Sequence, residues 1–158
     1  MYVRHGALIK HNHKIEGINS RMDTLQAAIL NVKLNYITKW NEMRIKNAEY
    51  YNEKLSDIKQ ISCPSKNNNA KHIFHVYCVR AERRDDLKDF LIKKDIGIAI
   101  HYPTILPLMD AYKYLNYTKD DFTIAFDFQK KILSLPMFPE MTKNQIDYVV
   151  SNIKDFYN

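Results

Sequence analysis

Two short segments carry residue types that could hold an anion or handle a proton. In Gly17-Ile18-Asn19-Ser20-Arg21-Met22-Asp23, the amide of Asn19 and the guanidinium of Arg21 stand two residues apart, where a helix is expected to begin. Free backbone N–H groups and the helix dipole favour negative charge at such a point, and both side chains add hydrogen-bond donors. Taken alone, Asn19 also reads as a turn residue and Arg21 as a surface charge. The second segment, Gly97-Ile98-Ala99-Ile100-His101-Tyr102-Pro103, ends a short strand-forming run with an imidazole and a phenol. Imidazole can donate, accept or carry a proton near neutrality. A single histidine in that setting is also a common structural residue.

Other polar clusters specify less. His11 and His13 lie two apart with no third ligand nearby, so a polar loop accounts for them better than a metal site. His72 and His75 fall in a run that reads as a strand, and period two puts them on opposite faces. With only Gly6, Gly17 and Gly97 available, no glycine-rich phosphate loop can be built, leaving phosphate to side chains or a helix N-terminus. Cys63 and Cys78 have no metal-site spacing and read as free thiols of a reducing compartment.

The elements that must position these groups follow from periodicity. Ser20-x-x-Asp23 has the form of a capping box. Met22, Leu25, Ile29, Val32, Tyr36, Trp40 and Met43 then recur at steps of three and four, which predicts one helix from Ser20 to about Leu55. Its apolar residues outside that stripe call for burial on more than one side. After the turn-rich Pro64–Asn69 segment, short strands and helices alternate. Strands are expected over 73–81, 97–102 and 132–135, and helices over 84–94 and 122–131. Thr142-x-x-Gln145 is a further capping box opening a last helix, with Ile146, Val149, Val150, Ile153 and Tyr157 inward. The expected fold is mixed α/β: a long helix followed by a small α/β or α+β unit.

Composition narrows the field. A chain of 158 residues, 46% hydrophobic and 27% charged, is an ordinary globular protein. Its formal charge of +6 sits in mixed-sign stretches such as Glu82-Arg83-Arg84-Asp85-Asp86, with no aromatic-basic motif. Such a pattern describes solvated helix faces better than a nucleic-acid surface. No run approaches the ~20 apolar residues of a membrane span, and the N-terminus lacks the apolar core of a signal peptide, so a cytoplasmic location is expected.

Five segments in order carry a resemblance. GINSRMDTLQAAIL (17–30), FHVYCVRAERRDDLKDFL (74–91), GIAIHYP (97–103), AYKYL (111–115) and LSLPMFPEMT (133–142) resemble the DegT/DnrJ/StrS family of sugar aminotransferases. Arg4-His5-Gly6 is similar to the family's Arg-Asn-His-Gly segment. The resemblance implies a type I aminotransferase fold: a large domain holding pyridoxal phosphate and a small C-terminal domain. On that basis residues 1–18 are a remnant of the large-domain connection, 19–60 a long interdomain and dimer helix region, and 61–158 the small domain. It further implies a homodimer with shared active sites and amino transfer, usually from glutamate, to a nucleotide-linked keto sugar in polysaccharide or lipopolysaccharide biosynthesis. Asn19 would reach the cofactor phosphate of a partner subunit. Arg21 would act as a charge clamp on the substrate, and His101 and Tyr102 would give it shape and hydrogen bonds.

The departures set the remaining expectations. Many members follow the HYP motif with a proline-leucine-histidine run, but here the sequence is Thr104-Ile105-Leu106-Pro107-Leu108, with Pro107 where that histidine would fall. No lysine follows the family's serine-rich cofactor-lysine pattern. The chain is therefore expected to lack a catalytic residue of its own, to retain pyridoxal phosphate poorly alone and to be inactive by itself. The alternatives are a noncatalytic dimerisation or binding module and one half of a split enzyme.

Overall fold

The computed structural model describes every residue except Lys10 and Asn68. The chain divides into two compact units, Met1–Thr38 and Lys39–Asn158.

In the first unit, β1 (Ala7–Ile9) and β2 (Asn12–His13) form an antiparallel pair. Beside it the segment 2–5 runs antiparallel to 18–20: His5 N–H donates to Ile18 O, Ile18 N–H to Tyr2 O and Ser20 N–H to Val3 O. Two glycines make this possible. Gly6 has φ +76, and a Cβ there would lie 1.7 Å from Ile15 O; one on Gly17 would lie 2.2 Å from Gly6 N. No side chain fits either approach.

The helix that follows, α1 (Thr24–Leu34), departs from expectation at both ends. Ser20 does not cap it, because its backbone is still paired with Val3. Asp23 is the N-cap, accepting from Leu25 N–H at 2.7 Å. The predicted single helix also breaks after Leu34, where Tyr36 N–H bonds back to Lys33 O, three residues earlier. Asn35, whose side chain competes for backbone groups, sits at the interruption. The helix resumes as α2 (Ile37–Leu55).

In the second unit, β3 (Ile61–Ser62), β4 (Tyr77–Ala81) and β5 (Ile132–Leu135) form a wholly antiparallel sheet in the order β3-β4-β5. The helices α3 (Arg84–Ile92), α4 (Thr123–Phe128) and α5 (Lys143–Tyr157) complete the described α-helices of that unit with most of α2, and 3-10 turns at Leu106–Leu108, Asp110–Leu115 and Lys119–Phe122 lead up to α4. The mixed helix-and-sheet fold is as expected, with antiparallel pairing making the unit α+β. Buried Tyr51 of α2 stacks on Tyr77 of β4, ring centroids 4.8 Å apart. Leu87 and Leu91 of α3, Leu133 of β5 and Ile146, Val149 and Ile153 of α5 close the same core. The Thr142–Gln145 box forms as predicted: Gln145 N–H donates to Thr142 Oγ1, and Thr142 N–H to Gln145 Oε1.

Three other spans come out shorter than the periodicity predicts. The strand expected over 73–81 begins only at Tyr77, because Phe74 is left-handed (φ 50) and its N–H is held by His72 Nδ1. The histidines 72 and 75 thus lie before the strand, not on its two faces. The helix expected over 122–131 has a 3-10 turn, Lys119–Phe122, before α4. The strand expected over 97–102 reduces to one bridge, Ala99 with Ser134. Continuing that register would pair 97 with Pro136, which has no N–H, and 101 with Ile132, whose carbonyl takes a hydrogen bond from Arg84.

Candidate functional site

The first pair of candidate residues stands in the extended segment leading into α1. Asn19 bridges Arg4 through its backbone, and its Oδ1 accepts from Arg21 Nε at 3.2 Å. The guanidinium thereby orients the amide and leaves the amide NH2 as the group with protons to give. Both residues are exposed. They precede the cap by four and two positions, and the Asp23 carboxylate already occupies the α1 N-terminus. Any anion here is therefore held by the two side chains, not by the helix's first turn.

The second pair belongs to the other unit. Ala99 exchanges both backbone hydrogen bonds with Ser134, at 3.2 and 2.8 Å, and this fixes the chain two residues before His101. His101 Nδ1 lies 2.9 Å from Ser134 Oγ. The His101 and Tyr102 rings meet edge to face at 5.4 Å, across a cis peptide bond. Tyr102 is 70% exposed, so its phenol faces open space. Beyond Pro103, Ile105 N–H is held by Gln129 Oε1 at 3.0 Å, tying the 101–105 loop to the end of α4. Each pair comes together as its spacing suggests: an amide beside a guanidinium, and an imidazole beside a phenol.

Several other titratable groups are engaged within the fold. His13 Nδ1 lies 2.7 Å from His5 O, across the first unit. Among the described residues no group of three or more His, Cys, Asp or Glu could hold a metal ion. Cys63 and Cys78 are free thiols, and burial pushes Cys78 up. Burial likewise raises the Tyr51 and Tyr77 phenols, whose hydroxyls donate to Pro136 O and Asn52 Oδ1 within the core. Reasoning from spacing missed Ser134. Its one signal was a hydroxyl between two leucines in a strand buried along most of its length.

Residues 1–154 match the model of the DegT/DnrJ/EryC1/StrS aminotransferase family. The chain belongs to that family. A dTDP-3-amino-3,6-dideoxy-alpha-D-galactopyranose transaminase of Aneurinibacillus thermoaerophilus is 31% identical over 96% of this chain and 41% of its own length. A "pleiotropic regulatory protein" of Geobacillus stearothermophilus is 38% identical over 97% of the chain and 42% of its own. The structure of DesV from S. venezuelae superposes with a TM-score of 0.91 at 30% identity, covering 99% of this chain and 42% of DesV. This member of the DegT/DnrJ/EryC1/StrS family thus spans about two-fifths of the length of the relatives it matches, and its fold is that part of a sugar aminotransferase. No helix among the described residues is long and apolar enough to cross a membrane.

Proposed function

We propose that this chain is the C-terminal portion of a pyridoxal-phosphate-dependent aminotransferase that passes an amino group, from glutamate, to a nucleotide-linked keto sugar in the cytoplasm. The observation that carries this reading is the superposition on DesV over 99% of the chain. In the first unit the amide NH2 of Asn19, oriented by Arg21 and open to solvent, fits the cofactor's phosphate, and the exposed guanidinium fits a substrate anion. When bound, pyridoxal phosphate supplies the electron sink for amino transfer. The chain's own residues then bind and orient. Asn19 donates to the phosphate in a partner subunit. Arg21 pairs with substrate anionic charge, and His101 and Tyr102 set the sugar's position through a ring nitrogen and a hydroxyl.

A lysine that forms a covalent link to the cofactor is usually desolvated, and none of the described lysines is buried. That supports a catalytic lysine outside this segment, so the chain alone does not transaminate. A homodimer accounts for α1: its 11 residues include none that is buried, and Leu25, Ile29, Leu30, Val32 and Leu34 are exposed. The name of the Geobacillus relative, a pleiotropic regulatory protein, favours one second reading, a noncatalytic regulatory or dimerisation module.

One experiment separates the two. The chain, alone and joined to a lysine-bearing N-terminal segment of the family, is incubated with pyridoxal phosphate, glutamate and nucleotide-linked keto sugars. Amino-sugar formation by the joined protein only is the expected result. A folded, cofactor-loaded joined protein that turns over none of them supports the noncatalytic module instead.

A further inference from the structure

We propose that Ser134 is a positioning residue for His101, holding the ring in the tautomer protonated at Nε2 so that this N–H faces outward as a hydrogen-bond donor. The inference rests on the reading of His101 as a substrate contact, and concerns how that contact is made.

Ser134 acts on His101 twice. It lies in β5 between Leu133 and Leu135 and is only 4% exposed. Its backbone exchanges two hydrogen bonds with Ala99, fixing where the chain leaves the sheet. Its hydroxyl then meets His101 Nδ1 at 2.9 Å. A hydroxyl buried among leucines is costly unless paired, and the imidazole is its strong partner.

The direction of that hydrogen bond follows from what else Ser134 can reach. Cys78 is its direct partner across the β4–β5 ladder, and the Cys78 thiol donates instead to Val79 O at 3.9 Å. Burial pushes that thiol up, so near neutrality it keeps its proton. If His101 donated from Nδ1, the serine proton would be left to a sulfur, which is a weak acceptor. If Ser134 donates to Nδ1, it uses the strong lone pair of a neutral imidazole and remains free to accept. The second arrangement places the ring proton on Nε2, on the edge facing away from the buried serine. An Nε2–H donor selects oxygen acceptors on the substrate, such as a hydroxyl, carboxylate or phosphate, and gives nothing to a donor group.

The test reads the tautomer directly, without cofactor or substrate. Ring nitrogen shifts of the 15N-histidine-labelled chain are recorded where the imidazole is neutral, with His101 assigned by the peaks lost in His101→Gln. The expected spectrum shows an unprotonated Nδ1 and a protonated Nε2. In Ser134→Ala the two shifts converge toward the average of mixed tautomers, and Ser134→Thr, which keeps the hydroxyl, restores them. A wild-type ring protonated at Nδ1, or wild-type shifts in a folded Ser134→Ala chain, overturns the proposal. If Ser134→Ala does not fold, Ser134→Cys, of similar size but a weak donor, is read in its place, with the same convergence expected and wild-type shifts overturning the proposal. A wrong role for His101 would show separately, as unimpaired substrate use by His101→Ala in the joined enzyme.

Discussion

Arg84 offers the sharpest test of how the second unit holds its loop. The residue is 8% exposed, and its Nη1 donates to Gln129 O at 3.1 Å and to Ile132 O at 2.9 Å. These carbonyls flank the junction of α4 and β5, the same junction from which Gln129 holds Ile105 and Ser134 holds His101. Arg84→Met keeps the apolar stem but leaves both carbonyls without their donor. Hydrogen bonds to a charged group contribute roughly 1.5–3 kcal/mol each, and partial rehydration of the carbonyls returns some of that, so a loss of about 3 kcal/mol is expected. The Asp85 contact adds little, because that carboxylate is exposed. For a chain of this size the loss corresponds to about 6–12 °C in melting temperature. Urea unfolding of wild type, Arg84→Met and Arg84→Lys measures it, with the lysine variant falling between. An Arg84→Met chain within about 0.5 kcal/mol of wild type, the ordinary range for surface changes, would refute this role.

Other outcomes follow from the same structure. Gly6→Ala forces a left-handed alanine costing about 1–2 kcal/mol, plus a clash with Ile15 O, so amide exchange should lose protection across residues 1–20 while β4 and β5 keep theirs. Equal loss in both units would contradict their separation. Tyr51 and Tyr77 titrate above the usual phenol value, and Tyr157 is pushed up to about 12, all mainly through burial. Folded phenols that ionise later than unfolded ones give stability that is full below about pH 10 and falls as pH rises above it. Urea midpoints that stay flat through alkaline pH would refute this. Replacing Leu25, Ile29 and Leu30 together by Glu should lower the sedimentation coefficient or raise solubility, since an exposed apolar surface of that kind is seldom left bare. A wild-type chain that sediments as a monomer at every concentration would count against the dimer.

How much of this was legible in sequence depended on whether the signal was local. The Thr142–Gln145 box and the α5 stripe needed only neighbours along one helix, and both formed as written. Helix 20–55 was misread because the apolar stripe runs unbroken through Asn35, while the break is made by one backbone hydrogen bond that periodicity does not see. Ser20 looked like a cap, but a pairing with Val3, seventeen residues away, claimed its backbone first. The strand expected over 97–102 failed for a non-local reason too: its partner strand ends in a proline on one side and gives a carbonyl to Arg84 on the other. Residue types and spacing picked out Asn19 with Arg21 and His101 with Tyr102 as candidates, and the structure puts the members of each pair in contact. Ser134 stayed hidden because it acts from a strand 33 residues further along the chain.

Substrate and cofactor handling in the joined enzyme tests the central claim most directly. The measurement is kcat/KM for the keto-sugar nucleotide, with cofactor content after dialysis, for wild type, Asn19→Ala, Arg21→Ala and His101→Ala. Each lost charge-assisted or phosphate hydrogen bond corresponds to roughly 10- to 150-fold. The account predicts that Asn19→Ala loses cofactor by a factor in that range, that Arg21→Ala loses kcat/KM together with the part of cofactor retention that its hold on the Asn19 amide supplies, and that His101→Ala keeps the cofactor and loses kcat/KM. Wild-type cofactor content and kcat/KM in all three variants of an active enzyme would contradict it.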